Sequence, residues 1–303
     1  MKLLRNNTIL LFFFITIVNL FIFLYRDHFL YHEYCDYASL YASDTAKWRA
    51  FVDDFPKQEL VEAKKIVDSS VRRGGISSTA KILAIGKFLY SRFYRQTGVP
   101  SARIAQASPL QQYKLFSSSD SEKLWCGNFA SMFAYFCWAE GIPCRILEIM
   151  NPGDHHVVNE CYLPDSNNWV MTDVTTNHFL IWDADRNRYE NLLHLRDSSA
   201  TSLFSWQDVD DSVVRRPFQR AVYAPYFGNK NPINCYYRIN NLAVYKPAEK
   251  IRRYFLPVAW YQEVDNSPGR NLPFYIKQFF TLLWLICLVA LIRQIFRRPK
   301  SFN

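Results

Sequence analysis

The chain begins and ends with apolar runs that differ in texture from everything between them. Residues 8–25 read TILLFFFITIVNLFIFLY, interrupted only by Thr and Asn. About 18 residues is the lower end of what crosses a bilayer as a helix, and no helical period leaves this run a polar face. The second run, residues 274–292, reads FYIKQFFTLLWLICLVALI. Lys277 and Gln278 sit near its start, where a lysine is expected to snorkel to the interface.

Between the runs the pattern changes several times. Residues 57–72 and 78–95 have helical character, and in the second Ile82, Leu83, Ile85, Leu89, Tyr90 and Phe93 form a stripe at three- and four-residue spacing. Residues 96–123, rich in Ser, Pro and Gln, read as a long irregular connection of the kind that is usually functional. Residues 128–140 (NFASMFAYFCWAE) predict a helix buried on most sides, ended by Gly141 as a left-handed cap and by Pro143. Strands are predicted over 145–150, 155–163 and 169–175, with turns at 151–154 and 164–168. Residues 179–272 read as mixed strand and loop with no nameable chemistry. Helices followed by an antiparallel sheet make an α+β domain.

Charge and cysteine content sharpen this picture. The formal net charge is +9 at pH 7, which by itself suggests a polyanion partner. Eight basic residues (Lys2, Arg5, Arg26, Lys277, Arg293, Arg297, Arg298 and Lys300) lie in or beside the apolar runs, however. The rest of the chain then holds 28 basic residues against 27 acidic ones, so no nucleic-acid footprint is expected. The basic flanks report topology instead. By the positive-inside rule both termini are cytoplasmic and the intervening domain lies on the far side of a plasma (inner) membrane. The expected organisation is an uncleaved signal anchor over 1–26, an extracytoplasmic domain over 27–272 with its motif core at 78–176, a second membrane helix over 273–293 and a basic cytoplasmic tail over 294–303. A cleaved signal peptide and an interfacial C-terminal helix are the alternatives. The absence of N-x-S/T sequons between the runs agrees with a bacterial periplasm. Seven cysteines are present (35, 126, 137, 144, 161, 235 and 287), without CxxC spacing, so neither a zinc ribbon nor a thioredoxin-type motif is supported. No EF-hand-like loop appears. No metal or cofactor is expected.

One cysteine has a chemical setting. Cys126 stands at the entry of the buried helix, where unpaired backbone N–H groups and the helix dipole favour a negative charge. On the strands, alternation puts His156, Val158, Glu160 and Tyr162 on one face and Trp169, Met171 and Asp173 on one face of the next strand. A register in which opposed residue numbers sum to 329 sets His156 directly across from Asp173; a sum of 331 makes them diagonal neighbours. Even sums would part them. A thiol at a helix N-terminus, an imidazole to take its proton and a carboxylate to hold the imidazole compose a triad. His155 is the neighbouring candidate, less favoured by strand parity. Glu160 reads as a structural partner for Arg145.

These blocks are recognisable. Trp125-Cys126-Gly127-Asn128-Phe129-Ala130, followed by Gly141-Ile142-Pro143-Cys144-Arg145, resembles the nucleophile helix of the transglutaminase-like superfamily, which ends in a Gly-Ile-Pro-x-Arg turn. His156-Val157-Val158-Asn159-Glu160 resembles that family's histidine strand, and Trp169-Val170-Met171-Thr172-Asp173-Val174-Thr175 its aspartate strand. Two departures stand out: Val174 replaces a proline, and Leu124-Trp125 replaces a glycine-rich lead-in. The resemblance implies a papain-like fold and a catalytic triad of Cys126, His156 and Asp173. It implies attack on an amide or ester carbonyl through a thioester, resolved by an amine (acyl transfer) or by water (hydrolysis, as in a cysteine protease). Trp125 and Gly127 are candidates for oxyanion or substrate contacts. The expected partners are the lipid bilayer, a cell-envelope peptide, protein or amidated polymer, and an amine acceptor. A catalytically silent binding or scaffold module is the alternative of another class.

Overall fold

The computed structural model describes residues 2–41, 45–74, 77–183, 187–197, 204–208, 215–217, 223, 225–227, 232–237, 247–259, 261–264 and 271–296. Arg297, Arg298 and Lys300 of the expected tail lie outside them, as does most of 198–246. The helices are α1 (Lys2–Leu24), α2 (Tyr37–Leu40), α3 (Ala50–Asp53), α4 (Lys57–Gly74), α5 (Ser78–Phe93), α6 (Ala102–Gln106), α7 (Pro109–Ser118), α8 (Cys126–Ala139), α9 (Leu192–Asp197), α10 (Pro247–Phe255) and α11 (Leu272–Phe296). The strands are β1 (Glu33–Cys35), β2 (Cys144–Asn151), β3 (Asp154–Leu163), β4 (Asn168–Asp173), β5 (His178–Asp183), β6 (Arg188–Tyr189), β7 (Phe204–Asp208), β8 (Arg215–Pro217), β9 (Ile233–Tyr236) and β10 (Tyr261–Val264). They divide into two compact units.

One unit gathers residues 1–32, 247–259 and 269–303. Its helices α1 and α11 are each long and apolar enough to cross a membrane. Polar groups bond between the two helices: Asn19 Nδ2 donates to the Phe280 carbonyl at 3.2 Å and Trp284 Nε1 to Thr16 Oγ1 at 2.9 Å. Such bonds between apolar helices satisfy groups that lipid cannot. Lys277 lies in the first turns of α11. It is fully buried, donates to the Phe29 carbonyl at 2.7 Å, and lies over the rings of Tyr254 and Phe274 at 4.3 and 4.5 Å. Carbonyl and ring faces solvate the ammonium, so it need not reach water.

The other unit, residues 33–246 and 260–268, carries the sheet. Its strand order is β1-β10-β9-β2-β3-β4-β5-β7-β8, with β6 beside β5; β1 pairs β10 in parallel and the other pairs are antiparallel. Both faces are covered, so β2–β4 run apolar on both sides. One core joins α4, α5, α7 and α8 to Ile146, Cys161, Leu163, Val170 and Phe179. The other joins Leu147, Val158, Trp169 and Met171 to Trp48, Leu192, Tyr223 and Phe227. Helix α5 presses so close that a Cβ on Gly86 would stand 2.3 Å from the Phe179 ring.

Local chemistry explains the boundaries. Helix α8 ends in a Schellman turn: Gly141 has φ +75°, Ile142 N–H bonds the Cys137 carbonyl at 2.9 Å and Gly141 N–H that of Trp138 at 3.1 Å. Segment 96–123 is more ordered than its composition suggests. Ser108 caps α7 by accepting from Gln111 N–H at 3.2 Å, and Pro109 occupies its first position, where a missing N–H costs nothing. Strand β4 stops at Asp173, two residues short of the expected end. The Asp173 Oδ1 captures the N–H groups of Thr175 at 3.0 Å and Thr176 at 3.3 Å and turns the chain.

Candidate active site

Cys126 is the first residue of α8, half-buried, with Trp125 extended before it. Asn128 fixes this entry. Its Oδ1 accepts from Trp125 N–H at 2.9 Å, and its Nδ2 donates to the buried Gln112 Oε1 at 3.1 Å. Helix α7, missed in the sequence reading, thus props the first turn of α8. At Gly127 a Cβ would lie 4.0 Å from Val157 Cγ2, so this turn sits against β3 beside His156.

The β3–β4 register is the one summing to 331: Asn159 opposes Thr172 and Glu160 opposes Met171. His156 and Asp173 are therefore diagonal neighbours on one face, and His156 Nε2 lies 2.7 Å from Asp173 Oδ2. The Cys126 thiol is the imidazole's other partner, which leaves Nδ1 as the ring nitrogen available to it. Burial alone would depress the imidazole pKa. The charge and hydrogen bond of Asp173, aided by Cys126, overcome this and raise it to about 10. At Asp173 burial favours the neutral acid, and the opposing pull of His156, Thr176 and Tyr223 holds the carboxyl below its ordinary range. The arrangement favours a protonated imidazole between the Asp173 carboxylate and the Cys126 sulfur.

Asp173 is anchored by residues the sequence did not point to. Its Oδ2 also accepts from Thr176 Oγ1 at 2.7 Å and from Tyr223 OH at 2.8 Å. His178 Nδ1 lies 2.9 Å from both hydroxyl oxygens. Thr176 has a local signal, an Asp-x-x-Thr turn; Tyr223, 50 residues downstream of Asp173 in a stretch without a motif, has none. Tyr223 and Tyr226 place their rings 6.2 and 5.9 Å from the His156 ring. Tyr226 OH donates to Asp154 Oδ2 at 2.7 Å.

The remaining sequence candidates sort cleanly. His155 is exposed, and no contact of its ring with Asp173 or Cys126 occurs among the described residues. Glu160 is wholly buried on Arg145, with Nη2–Oε2 at 2.5 Å and Nε–Oε2 at 3.0 Å. It also accepts from Leu192 N–H at 2.7 Å and Tyr41 OH at 3.0 Å, and so holds α9 and residue 41 against the sheet. Trp125 is 51% exposed, free to meet a substrate rather than packed in the core.

Residues 77–174 match the family model of the transglutaminase-like superfamily. No curated protein matches the chain. Among solved structures, a candidate cysteine protease from Cytophaga hutchinsonii matches at 24% identity with a TM-score of 0.29. The match covers 38% of this chain and 37% of that one, so this chain spans little more than a third of its length. From the entry of α5 to the residue after Asp173, residues 77–174 form a transglutaminase-like domain, as the family model matches them.

Proposed function

We propose that this protein is a membrane-anchored thiol hydrolase or acyltransferase that opens amide bonds through a thioester on Cys126. The observation that carries the reading is the 2.7 Å His156–Asp173 contact with the Cys126 thiol on the imidazole's other side. The Cys126 sulfur attacks the carbonyl carbon, and the carbonyl oxygen takes up the electron pair. Backbone N–H groups of Cys126 and Gly127 at the start of α8 receive that oxyanion, with the Trp125 indole N–H as a further donor. When the tetrahedral adduct collapses, the C–N bond breaks and the imidazolium of His156 gives its proton to the departing amine. The neutral imidazole then takes a proton from the incoming nucleophile, and the thioester is resolved. Asp173 holds the ring and its tautomer throughout.

Because Cys126 is half-buried and Trp125 exposed, the thioester stays within reach of water, and hydrolysis is the outcome this geometry supports best. Transfer to an amine is the second. Helices α1 and α11 serve as the two membrane spans, with basic residues keeping both termini cytoplasmic and the catalytic unit extracytoplasmic. That placement supports a peptide, protein or amidated polymer of the cell envelope as substrate.

The test is the pH dependence of Cys126 alkylation in the full-length protein in detergent, followed site by site by mass spectrometry beside His156→Ala. Rapid labelling well below pH 8.5, the region of an ordinary thiol pKa of about 8.5, and its loss in the variant support a primed thiolate–imidazolium pair. Slow labelling that rises only near pH 8.5 and ignores the mutation overturns it and leaves a binding module.

A further inference from the structure

Three cysteines that the reaction does not use meet in the core beneath α8. Cys137 lies in the last turns of α8, Cys144 opens β2 and Cys161 lies on β3. Each has no exposed surface, and their three sulfurs lie within 4.8 Å of one another. Cys161 is central to the group. Its Sγ is 3.9 Å from that of Cys137, and it faces Cys144 directly across the β2–β3 pair. Tyr162 N–H donates to the Pro143 carbonyl at 2.9 Å, so the neighbouring Cys144–Cys161 pair is a non-hydrogen-bonded one. Such pairs hold their Cα atoms about 4.5 Å apart, within the roughly 4.4–6.8 Å that a disulfide spans.

The surroundings decide between a metal and a cross-link. The three sulfurs sit in one core cluster with Ile142, Ile146, Leu163 and Val170. A divalent ion on three thiolates would leave a net negative charge in that apolar setting, at a high desolvation cost. A disulfide is a neutral group and carries no charge for burial to penalise.

We propose that Cys161 forms a disulfide with one of its two neighbours, Cys137 or Cys144, as a structural cross-link beneath the catalytic helix. Two S–H bonds break and one S–S bond forms. In exchange the S–S bond of an external oxidant of the dithiol–disulfide oxidoreductase class breaks, and the two electrons and two protons end there as its two thiols. Since the folded core seals all three sulfurs, oxidation takes place while β2, β3 and α8 assemble. Cys161 stands five residues beyond His156 on β3, so either linkage ties the histidine strand to a neighbouring element. Cys126 is spared: Cys137 lies eleven residues further along α8, about 16 Å away.

The proposal rests on the extracytoplasmic placement given above, since cytosolic thiols stay reduced. Full-length protein is extracted from membranes with an alkylating agent and no reductant, denatured, and mapped by mass spectrometry before and after reduction. The expected result is one disulfide containing Cys161, with the third thiol of the trio alkylated. Reduction lowers Tm by roughly 5–10 °C, and Cys161→Ser gives a protein whose Tm ignores reductant. Three alkylated thiols, a Cys137–Cys144 disulfide, or a metal ion retained by the trio in native mass spectrometry overturns the proposal. If Cys161→Ser does not fold, the wild-type map alone decides. A compartment reporter inserted at Ser199 shows whether reduced thiols also mean that the placement was wrong.

Discussion

At the scale of single residues, the site is a carboxylate held from four sides that in turn holds an imidazole. Asp173→Asn preserves the shape but favours the wrong His156 tautomer, and kcat should fall on the order of 10³–10⁴-fold. Near-wild-type turnover of an amide substrate by this variant would sink the triad. Tyr223→Phe removes one donor to Asp173 without touching substrate. Its kcat should drop by about tenfold while KM stays put, because a hydrogen bond to a charged group is at stake and binding is not. The imidazole also sets a pH signature. Its folded pKa of about 10 exceeds the ordinary 6.5. The ion pair's stabilisation is therefore complete below about 6.5 and is lost as pH rises through about 10. Thermal melts between pH 7 and 10.5 should show a larger fall in Tm for the wild type than for Asp173→Asn; parallel curves would disprove the raised pKa.

Among the elements, α8 matters most, since its first turn presents the nucleophile and its body fills the core. Its position is set by α5 and α7 on one side and β3 on the other, and these contacts have little slack. Gly86 lets α5 approach Phe179, so Gly86→Ala forces either the ring or the helix to move. A loss of roughly 1–3 kcal/mol is expected, read as a lower denaturation midpoint with unchanged m-value. Equal stability would mean that α5 has room to spare. Helix α7 teaches a related lesson. Its composition reads as a loop, yet Ser108 and Pro109 begin a helix whose Gln112 supports Asn128 and, through it, the backbone ahead of Cys126. Residues chosen for one another across 16 positions leave no periodic trace.

For the molecule as a whole, the proposed topology puts both termini in the cytoplasm and residues 27–272 outside it. A reporter fused after Asn303 should behave as cytoplasmic and one inserted at Ser199 should not. The same sign at both sites would refute the two-span topology.

How much of this was written in the sequence follows from the range of the forces involved. Apolar runs at both ends, the Gly141 stop of α8, the strand alternation and the Cys126, His156 and Asp173 blocks are local patterns, fixed by helical and pleated periods and by capping chemistry within a few residues. Parity alone limited the β3–β4 register to two choices that keep histidine and aspartate on one face. Tertiary structure chose the sum of 331, through the Asp173 turn that ends β4 and the packing of Trp169 and Met171 in the second core. It also supplied Tyr223, gathered Cys137, Cys144 and Cys161, and gave Lys277 a carbonyl and two rings as partners. Most of these contacts join positions tens to hundreds of residues apart. Only packing brings such groups within hydrogen-bond range, and no single stretch of sequence encodes it.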